Sequence, residues 1–416
     1  MSDARQLRGR IVAVVLLLMA IGNCSLLWRS RTDMGKAHFD FTNFYTAGAL
    51  VHRGSGSELY NTAAEWKVQQ EFSSDVKERR GPMRYLRPPY EAVLFSLFAV
   101  WPYPTALLIW TVTKLALLSA IPFIVVRGRH WREVFPLWST AILALGTFPV
   151  YIDLLQGQDA ILLAFLYAVC FWQLDTGRDV LAGFVLGLSL FKFQFALPVV
   201  ILLWIAGYKK VLPGFAVAGA IVSAISVPLV GWRVLLHYPG YLLNHSRANG
   251  VGLAPNLQMT LRGLLTLLTG RAPYPGRIHW MLAPIAFAAI AYAGVLWRKA
   301  GRQFLAEGFG LAAIVAIVTS YYAYSYDLIL LLVPLLAIRT RPDGISESDT
   351  LTRCLETGGL LLLLSTPVYW FLKAEYQAEC VMTLPLIAVG IALARRLIPA
   401  ASGSSAKQPA LVGAPV

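Results

Sequence analysis

The chain has 416 residues, of which 57% are hydrophobic and only 14% are charged, and its mean hydropathy is +0.60. Soluble proteins carry about 25% charged residues, so this composition excludes a soluble globular fold. The formal net charge of +14 would suggest a nucleic-acid partner in a soluble protein. Here many Lys and Arg residues lie in short connections between apolar runs, which is the positive-inside pattern of membrane proteins. We therefore expect membrane lipids around the chain and no nucleic acid.

Apolar runs recur along the whole sequence, and a helix needs about 20 apolar residues to cross a bilayer. The predicted crossings are residues 10–28, 103–126, 134–152, 158–175, 179–191, 193–208, 211–230, 277–298, 304–321, 324–338, 356–372 and 378–396. This pattern predicts an all-α polytopic membrane protein with about 12 transmembrane helices. The basic connections place both termini in the cytoplasm. We expect one domain over 1–399 and a disordered cytoplasmic tail over 400–416, which is rich in Ser, Ala, Gly and Pro.

Two long segments interrupt the apolar pattern, and both are predicted to face the outside. The first, about 29–88, contains helix-forming residues over 58–76 that suit an interfacial helix. The apolar stretch 89–101 that follows is short for a crossing, and we expect it to dip in and return. The second segment, about 231–276, contains Leu261–Thr269, which is too short to span and is expected to re-enter.

The first external loop begins with an aspartate among aromatic residues, Asp40 in His-Phe-Asp-Phe-Thr-Asn-Phe-Tyr. A partly buried Asp has a raised pKa and can serve as a general base. The alternative is an interfacial Asp that caps the helix beginning at Thr42 or Asn43. From spacing alone the capping interpretation is favoured.

Three basic residues stand out because of where they lie. Arg87, before Pro-Pro at the end of the first loop, is suited either to bidentate phosphate binding or to an interfacial anchor. Lys192 interrupts an apolar stretch, and an ammonium at membrane depth usually marks a pathway or a ligand site. Lys114 lies near the centre of its predicted helix and requires an intramembrane partner that the sequence does not identify.

Several polar and aromatic side chains on the predicted external side are candidates for binding a sugar or an acceptor. Gln158 lies in a Gln-Gly-Gln-Asp turn, for which an ordinary tight turn is the alternative reading. Tyr324 and Asp327 begin a helix in a tyrosine-rich segment, where an interfacial tyrosine belt is the alternative. The second external segment contributes four more candidates, each of which is equally consistent with a solvated loop residue. They are His237, His245, Asn256 and Gln258.

Taken in order, these clusters resemble glycosyltransferase family 87, the polyprenol-phosphate-mannose-dependent type with a C-type multi-helix membrane fold. The resemblance covers most of residues 10–340. The matching residues are Asp40, Phe41, Tyr45, Ala47, Gly48, Gly54, Leu59, Tyr60, Pro88, Pro89, Pro102, Trp110, Gly157, Gln158, Ala182, Gly183, Gly187, Lys192, Asn256, Leu261 and Gly263. Arg87 replaces a residue that is usually aromatic, and 321–327 replaces a segment that usually contains Ser-Pro and His.

The resemblance implies an inverting transferase on the extracytoplasmic face of the bacterial inner membrane. The donor would be a polyprenyl-phosphate hexose, with mannose as the expected sugar, and the acceptor a lipid or a glycan. Asp40 would be the catalytic base, Lys192 and Arg87 would bind the donor phosphate, and Tyr45 would join the sugar- or acceptor-binding residues. The sequence has no Asp-x-Asp pair, so we expect no cofactor, and we expect a divalent metal to be dispensable.

Two other classes of protein remain open at the level of sequence. A polytopic transporter or lipid flippase would use Lys114, Lys192 and Asp327 to line a substrate path, although the internal repeats common in transporters are not evident. A membrane scaffold without chemistry would use the polar clusters as interface anchors. A 60-residue external loop with an Asp near its start favours a catalytic platform.

Overall fold

The computed structural model of the protein describes residues 2–73, 81–126, 144–248, 255–269, 275–339 and 349–403, and within these ranges it contains helices and no β-strand. The α-helices of the described residues, in chain order, are α1 (Ser2–Gly35), α2 (Phe41–His52), α3 (Thr62–Phe72), α4 (Pro89–Ser96), α5 (Tyr103–Val125), α6 (Phe148–Gln156), α7 (Ala160–Asp175), α8 (Asp179–Leu188), α9 (Phe193–Ile205), α10 (Val211–Val230), α11 (Trp232–Ala248), α12 (Leu261–Thr269), α13 (Pro275–Ala300), α14 (Leu305–Thr319), α15 (Leu332–Arg339), α16 (Thr350–Leu364), α17 (Thr366–Phe371) and α18 (Thr383–Gly403). Short 3₁₀ or π turns lie between several of them, at Gly56–Glu58, Ser189–Lys192, Pro255–Leu257, Arg302–Phe304, Ser325–Leu331, Leu372–Tyr376 and Glu379–Met382.

The all-helical membrane architecture predicted from composition is confirmed, whereas the number of crossings is not. Seven helical stretches of the described residues are long and apolar enough to span a membrane, and an eighth results if two segments bent by 62° are one span. The seven are Ala13–Gly35, Tyr103–Val125, Asp179–Ile205, Val211–Val230, Met281–Ala300, Arg302–Thr319 and Glu379–Ile398. The prediction of about 12 counted every apolar run as a separate crossing.

Three local features explain much of the difference in number. The predicted crossings 179–191 and 193–208 join through one 3₁₀ turn into the single span Asp179–Ile205. The run 158–175 forms α7, a helix of 16 residues, which is below the usual spanning length of about 20. Most of the predicted crossing 134–152 lies outside the described residues.

The segments between spans contain short helices close to the predicted places. The interfacial helix expected within 58–76 is α3, and α12 has the predicted bounds. Helix α4 has only 8 residues, so it is too short to cross, consistent with the expected dip. The last helix, α18, continues to Gly403, into the predicted tail, and 404–416 lie outside the described residues.

Helices approach one another closely where glycine removes a side chain. A Cβ on Gly183 of α8 would lie 1.9 Å from the Val211 carbonyl oxygen of α10, and one on Gly214 would lie 1.9 Å from the Val180 oxygen. Such small-residue contacts let membrane helices pack through their backbones. These glycine contacts hold the membrane span that contains Lys192 against α10.

Candidate active site

Asp40 stands immediately before α2 and is half-buried. It occupies the N-cap position, but its side chain makes no capping hydrogen bond. Instead, one carboxylate oxygen, Oδ2, accepts a hydrogen bond of 2.6 Å from the side-chain amide Nε2 of Gln158. The capping interpretation of Asp40 therefore does not describe its side chain, which faces a residue 118 positions away in sequence.

The conformation and the packing of the turn that contains Gln158 both depend on Gly157. Gly157 has a φ of +67°, a left-handed conformation that suits glycine, and a Cβ there would lie 2.6 Å from the Cβ of Phe41. Its carbonyl oxygen accepts a hydrogen bond of 3.0 Å from the indole of Trp110 in α5. The turn between α6 and α7 thus packs directly against the residue that follows Asp40.

Arg87 and Asp159 continue the network from Gln158 into the protein interior. The Nη2 atom of Arg87 lies 3.4 Å from the Gln158 side-chain oxygen and 3.1 Å from Oδ2 of Asp159. Asp159 is fully buried, and its other oxygen lies 2.7 Å from the Lys192 ammonium. One carboxylate therefore meets two of the three cations that the sequence singled out, Arg87 and Lys192.

Lys192 links this carboxylate to a second one. Its ammonium lies 2.6 Å from Oδ1 of Asp327, and the other oxygen of Asp327 accepts a hydrogen bond of 2.9 Å from the Tyr324 backbone amide. The Tyr326 ring is 5.0 Å below the same ammonium, within cation–π range. Residues from five separate parts of the chain thus form one network, which we call the charge network: Asp40, Arg87, Gln158, Asp159, Lys192 and Asp327.

The carboxyl groups of the network and its surroundings differ in ionisation. Burial raises the pKa of Asp40, and the Gln158 hydrogen bond and Arg87 only partly oppose it. Burial also disfavours ionisation of Asp159, but Arg87 and Lys192 outweigh it and lower its pKa. Beside it, burial and the Asp159 charge raise the pKa of Glu91 well above its usual range. Asp159 is thus the more acidic of the two aspartates and Asp40 the more basic.

Lys114, whose partner was unknown from sequence, is paired with Asp153. Its ammonium lies 2.9 Å from both the Oδ1 atom and the carbonyl oxygen of Asp153. The second carboxylate oxygen, Oδ2, accepts hydrogen bonds from the backbone amides of Ala160 and Ile161 at 3.0 and 3.4 Å. This pair ties α5 and α6 to the start of α7.

The structure places the remaining predicted residues at several different positions. Tyr45 donates to the Trp101 carbonyl oxygen at 2.9 Å and packs in an aromatic cluster with Phe72. His237 is exposed on α11, with its ring nitrogen 2.7 Å from the Arg233 carbonyl oxygen. Asn256 donates to the Gln377 carbonyl oxygen at 2.5 Å.

Two further predicted residues need separate mention. Gln258 is fully buried, and its proximity to the Tyr324 hydroxyl lowers the pKa of that tyrosine, against the larger effect of burial. His245 belongs to α11, but its side chain lies outside the described residues.

Asp159 and Glu91 were not selected from sequence, although both belong to the site. Each lies close to a residue that was considered: Asp159 directly follows Gln158, and Glu91 lies shortly after Arg87 and its Pro-Pro pair. The available signal was a carboxylate next to a long apolar run, which is rare because burying a charge is costly. This signal indicates that the carboxylate has a buried partner, but it does not identify which residue the partner is.

No group of three or more His, Cys, Asp or Glu residues suitable for a metal ion occurs among the residues that the structure describes. The donors in the charge network are mutually paired cations and carboxylates. Whether a divalent metal is dispensable for activity remains a prediction.

Comparison with known proteins identifies one family. The family model described as Glycosyltransferase family 87 matches residues 85–334, more than half of the chain. The matched stretch includes every member of the charge network except Asp40. No curated protein and no solved structure matches this chain.

Proposed function

Because the chain belongs to glycosyltransferase family 87 and is a membrane glycosyltransferase, we propose that it transfers a hexose from a polyprenyl-phosphate donor, with Asp40 as general base. The expected sugar is mannose, and the acceptor is a lipid or a glycan. The observation that supports Asp40 most is its position: it is the half-buried end of a network whose other charged members are buried. Membership of a transferase family favours this enzyme over a transporter or flippase.

Transfer requires a base that can reach an acceptor hydroxyl and hold its proton. Asp40 is accessible, has a raised pKa, and is oriented by the Gln158 amide. In the proposed reaction, its free oxygen takes the hydroxyl proton while the acceptor oxygen attacks the anomeric carbon. The bond from that carbon to the donor phosphate oxygen breaks, and the lipid phosphate leaves with the electron pair. A single displacement of this kind inverts the anomeric centre.

The two cations predicted to bind the phosphate are proposed to contribute differently. Lys192 is 1% exposed and touches two carboxylates, so it acts by neutralising them. Arg87 retains a little exposure, and its described contacts use Nη2. A guanidinium has five N–H donors, so we propose that Arg87 also donates to the donor phosphate.

The proposed setting is the bacterial inner membrane, with both termini in the cytoplasm and Asp40 on the extracytoplasmic side. The basic connections between spans support this orientation. Long apolar side chains exposed on the spans, such as Leu108 and Phe123 of α5, support contact with lipid chains, including that of the donor.

The test is sugar transfer from polyprenyl-phosphate mannose to a membrane-lipid extract by the purified protein in detergent. Asp40→Asn keeps the size of the side chain but not its basicity, so we expect transfer to fall by about 10²–10⁴-fold, the usual contribution of a general base. Asp33→Asn, at a nearby exposed aspartate of α1, is the matched control and should retain activity.

Three results bear on separate parts of the proposal. Full activity of folded Asp40→Asn would rule out Asp40 as the base. Wild-type transfer only from a nucleotide sugar would rule out the lipid-phosphate donor. Loss of activity in chelator, restored by manganese, would overturn the prediction that a divalent metal is dispensable.

A further inference from the structure

One buried cation of the second external segment has no carboxylate partner among the residues that the structure describes. Arg262, at the start of α12, is 5% exposed. Its guanidinium stacks on the Tyr321 ring at 4.1 Å and lies 3.5 Å from the Tyr321 carbonyl oxygen. Within the part of the chain that the structure describes, Arg262 forms no salt bridge, because the nearby network carboxylates pair with Arg87 and Lys192.

Electrostatic surroundings distinguish Arg262 from Arg87. For Arg87, the Asp159 carboxylate stabilises the cation and raises its pKa despite burial. For Arg262, burial lowers the pKa, and the groups that act in the other direction are Tyr321 and Tyr324, not carboxylates. Since a guanidinium stays charged in proteins, Arg262 brings an uncompensated positive charge into a largely buried position, where a charge without a counterion is costly.

This charge lies close to the proposed reaction centre. The Met259 amide donates to the Ala323 carbonyl oxygen at 2.9 Å, which joins the start of α12 to the segment leading to Asp327. The Tyr324 hydroxyl is influenced by the charges of both Asp40 and Arg262. The charges of Arg262 and Asp40 therefore both act on the same tyrosine.

A second polar group at this position has no hydrogen bond of normal geometry. Gln258 is 0% exposed, and neither Oε1 nor Nε2 of its amide has such a partner among the described residues. Buried amides are rarely left unsatisfied, because the group then loses its hydrogen bonds to water without replacement. Gln258 and Arg262 both act on Tyr324, and a buried amide together with a guanidinium is a composition suited to binding an oxyanion.

We propose that Arg262 binds the phosphate headgroup of the lipid-linked donor, with the Gln258 amide completing the site. This assignment rests on the function proposed above and deepens it. Arg262 supplies the positive charge that attracts the phosphate, because the charges of Arg87 and Lys192 are already balanced by Asp159 and Asp327. A planar guanidinium also matches the geometry of phosphate oxygens.

The experiment measures binding without turnover. Purified protein in detergent is titrated with polyprenyl phosphate, with the uncharged polyprenol of the same length, and with inorganic phosphate, and both the Kd and the rise in Tm are recorded. Wild type should bind the lipid phosphate at least about tenfold more tightly than the polyprenol, as expected for one charge-assisted contact. Arg262→Gln should lose this preference, and Arg262→Lys should keep part of it.

The matched control is Arg302→Gln. Arg302 also stacks on a tyrosine, Tyr208 at 4.5 Å, but it is paired with Asp179 at 2.5 Å. Its replacement should leave the preference unchanged. The ligand-free Tm of each variant is measured first, so that a folding defect is recognised as such.

The outcomes separate the two proposals. If wild type prefers lipid phosphate and folded Arg262→Gln keeps that preference, the assignment of Arg262 is overturned while the donor class stands. If wild type does not distinguish lipid phosphate from polyprenol, the proposed donor class fails. If inorganic phosphate protects as well as the lipid at equal concentration, the site takes free phosphate and not a lipid headgroup.

Discussion

Two lysines, Lys114 and Lys192, are fully or almost fully buried in membrane-spanning helices, yet their surroundings differ. Lys114 meets one aspartate whose remaining oxygen is occupied by the backbone of α7. Lys192 meets two aspartates, and contacts continue from one of them to the half-buried Asp40. The first arrangement is closed, and the second ends at a group that can reach a substrate.

This difference shows how a membrane-depth charge can be interpreted. Intramembrane charges are functional candidates by default, but both of these lysines are buried and both are paired with aspartate. What separates them is connection to an accessible group. Lys114 supports the turn that holds Gln158, whereas Lys192 belongs to the charge network itself.

The largest expected effect on stability is at Lys192. Lys192→Met removes the cation that Asp159 and Asp327 share. Breaking a buried ion pair by removing one partner costs about 3–5 kcal/mol. We expect a markedly lower Tm in detergent and loss of sugar transfer. Lys192→Arg, which keeps the charge, should retain more stability. A normal Tm for Lys192→Met would contradict the view that this cation holds the network together.

A smaller effect is expected at Lys114. Lys114→Met should lower the free energy of unfolding by about 1–3 kcal/mol, because Asp153 keeps its two backbone donors. The double variant Lys114→Met/Asp153→Asn should regain most of this loss, since Asn keeps a capping oxygen and carries no charge. Thermal unfolding of the single and double variants measures the recovery. If the double variant is less stable than the single one, the pair is not the closed structural unit described here.

The smallest expected effect is a shift in pH dependence at Gln158. Its hydrogen bond lowers the pKa of Asp40, so Gln158→Leu should raise that pKa. The base must be deprotonated to act, so the acidic limb of the pH–rate profile should move to higher pH.

Gln156→Leu provides the matched control for that shift. Gln156 accepts a hydrogen bond of 3.4 Å from the Asp40 backbone amide and does not donate to its carboxylate. The acidic limb of the pH–rate profile of Gln156→Leu should lie at the same pH as that of the wild type. Equal shifts in both variants would show that the turn as a whole, and not the Gln158 amide, sets the basicity of Asp40.

Sequence alone identified the individual members of the site but not their partners. Asp40, Arg87, Gln158, Lys192 and Asp327 were each selected because a polar group interrupts apolar or aromatic sequence. The contacts between them join residues 71 to 135 positions apart, and no local pattern encodes such pairings. Tyr45 was selected with them, and its hydroxyl is used to bind the Trp101 carbonyl oxygen.

The sequence by itself determined the membrane environment and the helical class, because an apolar chain in lipid must satisfy its backbone hydrogen bonds internally. It also located α12 and the short α4, since prolines and polar residues bound them. Only the tertiary structure decided that 179–191 and 193–208 form one span, and that Arg87 and Lys192 share Asp159 while Arg262 has no such partner within the described ranges. Charge balance depends on which helices meet, and helix packing is a property of the folded chain.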